Sequence, residues 1–344
     1  MRKEFFVACA LLVLPTSCGT PPLTGSYREP DSTVRQSSNS EYCLTSPCIY
    51  VTSAYRPPSV DIYRTHQHGA AKPVESIKGP ATGLSGPAAV AVDANHNVYV
   101  AGSNYQYESV VTVYPAGDYG NVAPTQTITG PDTQMGVATG IAVDSGGNIY
   151  VSNWFGGTPC VGSVTVYAAG ANGDATPIAQ IKGMKTGLCD PGGIATDSKR
   201  NIYVTSGQQY SSAVKIYAAG SNGNVRPMAE ISGKRTLLYD PAGITLDALG
   251  NIYVSSDAAG TLTKYRAGAH DDAKPVQAIY GIRTKLQFAN GIAVDPSDEI
   301  YANNTVRTDV VVFASDANGD VPPIRIIRRN RRSNLRRPTN IAVR

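Results

Sequence analysis

The chain has little charge and few of the residues that usually carry catalysis. Only 16% of its 344 residues are charged, and it contains four histidines and a single tryptophan. It has no Gly-x-Ser-x-Gly elbow, no phosphate-binding loop and no His-Glu-x-x-His motif. The formal net charge of +4 is too small to indicate a nucleic-acid partner by itself. Glycine (34) and proline (23) are plentiful instead, which favours short strands joined by turns over long solvated helices.

Long hydrophobic runs are also missing, apart from one near the N-terminus. Two basic residues precede an apolar stretch over residues 5–14, which is too short to cross a membrane as a helix. This layout predicts an export signal over residues 1–17 and then a flexible tether over 18–42, rich in Pro, Ser, Thr and Gly. Cys18 resembles the lipidation site of bacterial lipoproteins, although Pro15 stands where these usually have an aliphatic residue. A lipid-anchored envelope protein and a secreted protein both remain open, and only the anchor would contact a membrane.

Cysteine usage agrees with export. One of the six cysteines lies inside the apolar run and one is the lipidation candidate. The four that remain are Cys43, Cys48, Cys160 and Cys189. An even number predicts two disulfides in an oxidising compartment, with their connectivity open. The alternative is four unpaired, buried thiols.

A repeat of about 50 residues runs through the rest of the chain. A triplet of the Ile-Tyr-Val type begins at Ile49, Val98, Ile149, Ile202, Ile252 and Ile300. A partner run such as Ile-Ala-Val-Asp stands eight residues before five of these positions. The first triplet has no such partner, and a sixth partner begins at Ile341 instead.

The displaced partner predicts that the repeats form a closed ring. If each repeat is a small sheet, a C-terminal strand can complete the sheet that the N-terminal repeat begins, which removes the open seam. An open solenoid would need capping repeats, and none is visible. The sequence therefore predicts an all-β, six-bladed β-propeller of four-stranded blades over residues 43–344, closed by residues 338–344.

Each blade is expected to contain four strands, A to D, of which D forms the outer edge. In one repeat, strand A is GIAVD before the turn at Asp144, strand B is IYV, strand C begins at Ser163, and Pro177 opens strand D. The aspartate that ends strand A recurs in five repeats and looks like a catalytic cluster. At the first position of a turn, however, a carboxylate ordinarily bonds backbone donors two residues on.

The motif G-I-A-V-D-x-x-G-N-I-Y-V-S, followed by V-x-V-Y, resembles NHL repeats and the wider superfamily of six-bladed propellers that includes the regucalcin and gluconolactonase enzymes. The resemblance implies that the B–C and D–A loops share the ligand face, where metal-dependent lactonases hold a divalent ion with Asn, Asp and Glu. The matching positions here are Ala88, Thr139, Gly192, Ala242, Asn290 and Thr339. Only Asn290 could bind a metal, and one neutral oxygen with no carboxylate beside it does not hold such an ion.

We therefore expect no metal, no cofactor and no catalytic residue, and we predict a non-catalytic binding or scaffolding module outside the cytoplasm. The alternative is a lactonase-like propeller hydrolase or lyase with an atypical active site. The four histidines fall in turns on the face opposite the expected site. We expect the protein to be a monomer.

The loops expected on the ligand face are basic, with thirteen Lys and Arg residues against six acidic ones. The cations are Arg56, Lys185, Lys234, Arg235, Arg283, Lys285, Arg307, Arg328, Arg329, Arg331, Arg332, Arg336 and Arg337. Such a face predicts an anionic glycan, another anionic polymer of the cell envelope, or a protein as partner. Alternatively, the arginines only keep the ring seam soluble.

Aromatic and amide side chains share these loops, a combination that suits sugar stacking, although a tryptophan after a strand can equally cover the blade core. The predicted ligand-binding residues are Trp154, Asn153, Asn104, Tyr239, Arg283, Asn290, Asn303, Arg307, Arg331 and Arg332.

Overall fold

The computed structural model describes residues 42–104, 106–155, 161–207, 212–329 and 335–344. It confirms the six-bladed propeller: six antiparallel four-stranded sheets form the blades of a ring. The blades lie within the compact unit Ser37–Arg344. The predicted export signal and Cys18 lie outside the described residues. In the described part of the chain, no helix has both the length and the apolar character needed to cross a membrane.

The blades are numbered along the chain, and their strands are given in the order A to D. Blade 1 follows a short helix α1 (Tyr42–Thr45) and contains β24 (Pro338–Val343), β1 (Cys48–Ser53), β2 (Ser59–Arg64) and β3 (Glu75–Lys78). Blade 2 contains β4 (Pro87–Val92), β5 (Val98–Ser103), β6 (Ser109–Tyr114) and β7 (Gln126–Ile128). Blade 3 contains β8 (Val137–Val143), β9 (Ile149–Trp154), β10 (Ser163–Tyr167) and β11 (Ala179–Lys182).

The other three blades have the same layout. Blade 4 contains β12 (Pro191–Thr196), β13 (Ile202–Ser206), β14 (Ala213–Tyr217) and β15 (Ala229–Ser232). Blade 5 contains β16 (Pro241–Leu246), β17 (Ile252–Ser256), β18 (Thr261–Tyr265) and β19 (Gln277–Ile279). Blade 6 contains β20 (Ala289–Val294), β21 (Ile300–Asn304), β22 (Asp309–Phe313) and β23 (Arg325–Arg328). Single 3-10 turns follow four of the D strands, at Pro80–Thr82, Pro131–Thr133, Met184–Thr186 and Ile282–Thr284.

The C-terminal strand closes the ring, as the sequence predicts. β24 pairs antiparallel with β1, so that Val51 lies opposite Ile341. Ile341 is 3% exposed and packs with Val51 and Tyr301, which belong to blades 1 and 6. Next to β1, Cys43 and Cys48 form a disulfide. Cys189 is also disulfide-bonded, whereas Cys160 lies outside the described residues.

The hydrophobic core lies between the blades. In one cluster, Val164 and Ile181 of blade 3 pack with Val204 and Tyr217 of blade 4, and the other junctions are filled in the same way. All five residues of β10 are buried, because neighbouring blades cover both faces of each sheet. Strand residues that are buried on both faces are seldom charged, which explains the low proportion of charged residues in the sequence.

The recurring aspartates are turn residues, as expected. Asp144 Oδ1 accepts bonds from the backbone N of Gly146 (2.8 Å) and Asn148 (2.9 Å), while Oδ2 accepts one from the hydroxyl of Tyr150 (3.0 Å). The other four aspartates accept the same backbone bond from two residues on. These carboxylates hold the A–B turns and do not form an active site.

The outer strand D differs from the prediction in two ways. β11 begins two residues after Pro177, although the backbone N of Ile178 already donates to Val166 O (2.8 Å). The strand is also not a free edge. The C–D turn of the next blade covers it, with Gly223 N donating to Gln180 O (2.7 Å) and Lys182 N donating to Gly223 O (3.1 Å).

The same turn supplies a side chain that locks neighbouring blades together. Asn224 Oδ1 accepts a bond from the backbone N of Lys185 (2.8 Å) and lies against Gly183, which has φ 125°. A Cβ on Gly183 would lie 2.5 Å from Asn224 Cγ, so only glycine fits. We call this pair of a glycine and an Asn or Asp the blade clasp. It recurs as Gly79–Asn121, Gly130–Asp174, Gly183–Asn224, Gly233–Asp272 and Gly281–Asp320.

The sixth junction, between blades 6 and 1, has no clasp of this kind. Arg329 stands at the glycine position and Ala70 at the Asn/Asp position. Both members are replaced together, and this junction is the one that β24 closes.

The clasp predicts that two Gly→Ala substitutions lower the free energy of unfolding by different amounts. Gly183→Ala should lower the free energy of unfolding by about 3 kcal/mol, because the new Cβ meets Asn224 and φ lies in a region that only glycine populates easily. Gly170→Ala is the control: Gly170 also has positive φ, but no atom lies within 4 Å of a Cβ there, so a cost of about 1 kcal/mol is expected. Urea denaturation measures both values. Equal costs would contradict the clasp.

Candidate functional site

The B–C and D–A loops meet on one face of the ring. The indole Nε1 of Trp154, at the end of β9, donates to Asp190 Oδ1 in the D–A loop that leads to blade 4 (2.6 Å). The backbone N of Asp257, in the B–C loop of blade 5, donates to Asp240 O in the D–A loop before that blade (3.1 Å). We call this surface the upper face and the opposite one, which carries the A–B turns, the lower face.

Side chains at the centre of the upper face bond the start of the next blade's strand A. Thr139 Oγ1 donates to Pro191 O (2.7 Å), and Thr205 Oγ1 donates to Ala242 O (2.8 Å). Equivalent bonds at three further junctions are made by Ser255, Asn303 and Thr339. Between blades 2 and 3 the contact differs, because the backbone N of Ala138 donates to Ser109 Oγ (3.1 Å). The hydroxyl and amide groups at these positions therefore connect adjacent blades.

Two predicted ligand residues are buried: Asn153 bonds within its own blade, and Asn303 belongs to the bonds between blades. Asn153 is fully buried and donates to Val151 O (3.0 Å) and Thr165 Oγ1 (3.1 Å). Asn303 is fully buried too: its amide nitrogen donates to Pro338 O (2.9 Å) and its oxygen accepts from Gly291 N (2.9 Å). The prediction that these amides face a ligand is corrected, because β9 and β21 continue past the repeated triplet and keep both residues inside the sheet.

Asn104 also serves local structure. Its side-chain oxygen accepts bonds from the backbone N of Gln106 (2.8 Å) and Glu108 (3.0 Å), and its nitrogen donates to the Glu108 carboxylate (2.7 Å). This is the bonding of an Asx turn, which shapes the B–C loop of blade 2.

Aromatic residues of the upper face remain accessible. Trp154 is 37% exposed and Tyr239 is 45% exposed. Phe155, beside Trp154, has the ammonium of Lys182 4.7 Å from its ring centre. These rings are half-open surfaces on which a ligand can stack.

The cations of the D–A loops do not surround one central opening. The backbone N of Arg235 donates to Asp272 Oδ1, and that of Arg283 donates to Asp320 Oδ1, each at 2.7 Å in a blade clasp. Since clasps join the outer strand D to the next C–D turn, these arginines lie at the outer rim between blades. The expected single basic face is therefore divided among the blade junctions. Arg331 and Arg332 lie outside the described residues.

Concave sites with cations and exposed apolar groups lie at two junctions: one contains Met184, Lys185 and Arg226, and the other lies between blades 5 and 6. A cavity of about 310 Å³ between blades 5 and 6 is lined by Ile282, Lys285, Leu286, Gln287 and Arg307. Ile282 is 88% exposed, and Arg307 pairs with the buried Asp309 (Nε to Oδ2, 3.4 Å). The neighbouring Phe288 and Val306 are also exposed. We call this site the 5–6 groove.

Asn290, at the position that matches a lactonase ligand, does have a carboxylate beside it. In the orientation that satisfies its neighbours, its amide nitrogen lies 3.1 Å from both Asp257 carboxylate oxygens and its oxygen accepts from Thr305 Oγ1 (3.0 Å). The expectation that no carboxylate lies next to Asn290 is wrong, because Asp257 comes from the preceding blade. Burial and the nearby Asp240 raise the pKa of Asp257. Within the described ranges, no three His, Cys, Asp or Glu side chains are grouped to hold a metal.

The raised pKa of Asp257 predicts a pH-dependent effect of Asp257→Asn. An acid whose pKa is higher in the folded state makes the fold less stable as pH rises through its titration range. The stability of the variant relative to the wild type should therefore be higher at pH 7 than at pH 3, by urea denaturation. Asp316→Asn, which removes an exposed carboxylate from a C–D turn, controls for net charge. A relative stability that does not change with pH, or falls as pH rises, would contradict the burial of Asp257.

Comparisons with known proteins identify the fold and no closer relationship. No protein-family model and no curated protein matches the chain. A propeller from a nidogen/laminin complex is similar, with TM-score 0.59 and 14% identity over 86% of this chain and 97% of that one. A Bacteroides caccae protein of unknown function is also similar, with TM-score 0.60 and 11% identity over 87% of this chain and 99% of that one. The periplasmic gluconolactonase of Pseudomonas aeruginosa has TM-score 0.57 and 11% identity over 86% of this chain and 98% of that one. At these identities the likeness shows the propeller fold, which both enzymes and binding proteins use.

Proposed function

We propose that this chain is an exported, non-catalytic binding module of the cell envelope, and that it recognises an anionic polymer through the 5–6 groove. Two disulfide-bonded sites, Cys43–Cys48 and Cys189, support an oxidising compartment. An acidic glycan is the partner that the chemistry of the groove favours.

The observation that carries this proposal is that the polar side chains of the upper face are bonded between blades, whereas its cations and apolar side chains are exposed. Its hydroxyl and amide groups are taken up by bonds between blades, as at Thr139, Thr205 and Asn303. Its exposed side chains are mainly cations and apolar groups, and the exposed carboxylates include Glu108 and Asp190, which accept bonds from Asn104 and Trp154. Such a surface offers charge attraction and apolar contact to a partner but few free groups for acid–base chemistry.

The 5–6 groove differs from the matching site of blade 1 in its charge. The loop after β19 carries Arg283 and Lys285 where the loop after β3 carries Ala81 and Gly83. Lys285 holds a left-handed φ of 64°, a conformation that favours glycine. These two cations give the junction positive charge beside the apolar Ile282, and Arg307, paired with Asp309, lines the same site.

The groove can be tested with polygalacturonate as the anionic probe and dextran as the neutral one. Binding to polygalacturonate should weaken at least about tenfold between about 50 and about 300 mM NaCl, because salt screens exposed charges. Arg283→Ala/Lys285→Gly, which introduces the residues of blade 1, should lower the affinity by at least about tenfold. Surface plasmon resonance measures both effects.

The matched control is Lys72→Gln/Lys274→Gln, which removes two exposed cations from C–D turns of the lower face. It should leave the affinity almost unchanged. Equal binding of dextran, or an equal loss in the control, would show that the groove is not the site.

A second candidate function is lactone hydrolysis, favoured only by the contact between Asp257 and Asn290. A carboxyl group with raised pKa in a polar cluster is a candidate acid or base. Hydrolysis of glucono-1,5-lactone above the buffer rate, lost in Asp257→Asn while the fold is retained by circular dichroism, would support it. No turnover by the wild type would leave the binding module as the function.

A further inference from the structure

A concave site lies on the lower face, between blades 3 and 4. Its volume is about 490 Å³, within the range of pockets that hold small molecules. One wall consists of the apolar side chains Val166, Ile178 and Ile202. The opposite rim consists of the A–B and C–D turns of blade 4. We call this site the 3–4 pocket.

Two cations mark the 3–4 pocket. Lys199 and Arg200 line it from the A–B turn of blade 4, and both are exposed. Neither makes a salt bridge with any described residue. The matching pairs in the other complete A–B turns are Asn95–His96, Gly146–Gly147, Leu249–Gly250 and Ser297–Asp298. Blade 4 is thus the one of these five that carries two permanent cations.

Arg200 occupies a backbone position that does not suit arginine. Its φ is 66°; blades 3 and 5 have Gly147 and Gly250 there, whereas blades 2 and 6 have His96 (φ 63°) and Asp298 (φ 61°). A side chain other than glycine in this conformation costs about 1 kcal/mol. The turn therefore does not require arginine, and the charge of Arg200 is available to a ligand.

Amide and hydroxyl groups complete the lining. Asn222 Oδ1 accepts a bond from Gln180 N (2.9 Å), which leaves its amino group as a donor. Asn148 Nδ2 donates to Asp144 (2.9 Å), which leaves its oxygen as an acceptor. Ser221 also lines the pocket.

The carboxylates of the A–B turns of blades 3 and 4 are already engaged. Asp197, in the same turn as Lys199 and Arg200, accepts bonds from the backbone N of Lys199 and Asn201 and from the side chains of Asn201 and Tyr203. Asp144 is 6% exposed, and its oxygens accept bonds from Gly146, Asn148 and Tyr150. It therefore offers no free oxygen to compete for the cations.

We propose that the 3–4 pocket binds a small hydroxylated ligand with one anionic group, such as a sugar acid or a sugar phosphate. The guanidinium of Arg200 and the ammonium of Lys199 would pair with the anion. The two asparagines and Ser221 would bond hydroxyl groups, while the apolar wall contacts the ring. This site is on the other face from the 5–6 groove and does not depend on the function proposed for that groove.

The test uses the full-length protein with glucuronate, glucose 6-phosphate and glucose as probes, measured by isothermal titration calorimetry. We expect saturable binding of at least one anionic sugar and at least about tenfold weaker binding of glucose. Binding of glucuronate alone would assign a carboxylate ligand, and binding of glucose 6-phosphate alone would assign a phosphate ligand. Failure of both acids to bind at about 10 mM, or equal binding of glucose, overturns the proposal.

Arg200→Gly locates the binding site without endangering the fold, because glycine adopts positive φ easily. The variant should lose at least about tenfold in affinity for the sugar that binds. Lys274→Gln, which removes one cation from the C–D turn of the next blade, and Arg283→Ala/Lys285→Gly in the 5–6 groove should retain full affinity. An equal loss in either control, or none in Arg200→Gly, overturns the assignment.

Discussion

The structure depends on the contact between adjacent blades. A single four-stranded sheet of this chain is apolar on both faces, so it cannot be stable unless a neighbour covers each face. Val164 and Ile181 of blade 3 obtain this cover from Val204 of blade 4. Because every blade has the same need, the sheets have to close into a ring. Repeated turns, shared cores and the displaced C-terminal strand are all consequences of this need.

The fold could be predicted from the sequence because its signals are local and periodic. Each Ile-Tyr-Val triplet lies in a strand B, and each recurring aspartate makes the turn that its position indicates. The roles of Asn153 and Asn303 could not be predicted in this way. Both follow a strand-forming triplet and resemble loop residues, yet Asn303 is fixed by Pro338 of another blade. Asp257 was missed beside Asn290 for the same reason, since the two come from different repeats.

The blade clasp shows that some contacts between repeats do leave a signal in the sequence. A glycine after strand D is followed by an Asn or Asp near the end of the next C–D turn in five junctions, and both are replaced at Arg329 and Ala70. Two residues that depend on each other through a contact are expected to be replaced together, as they are here. Residues that only one blade carries, such as Arg200 and Lys285, are in contrast free of this structural role. Departures from the repeat are therefore the positions at which function is best sought.

The pairing of β24 with β1 also sets an order of events during synthesis. Thr52 and Asn340, which this pairing brings together, are 288 residues apart in the chain. Ribosomes add about 5 to 20 residues per second, so the first blade waits roughly 15 to 60 s for its inner strand. Blades 2 to 6 have all their strands earlier, whereas β1 presents an unpaired edge throughout that time. The N-terminal blade is thus the last to be completed although it is the first to be made.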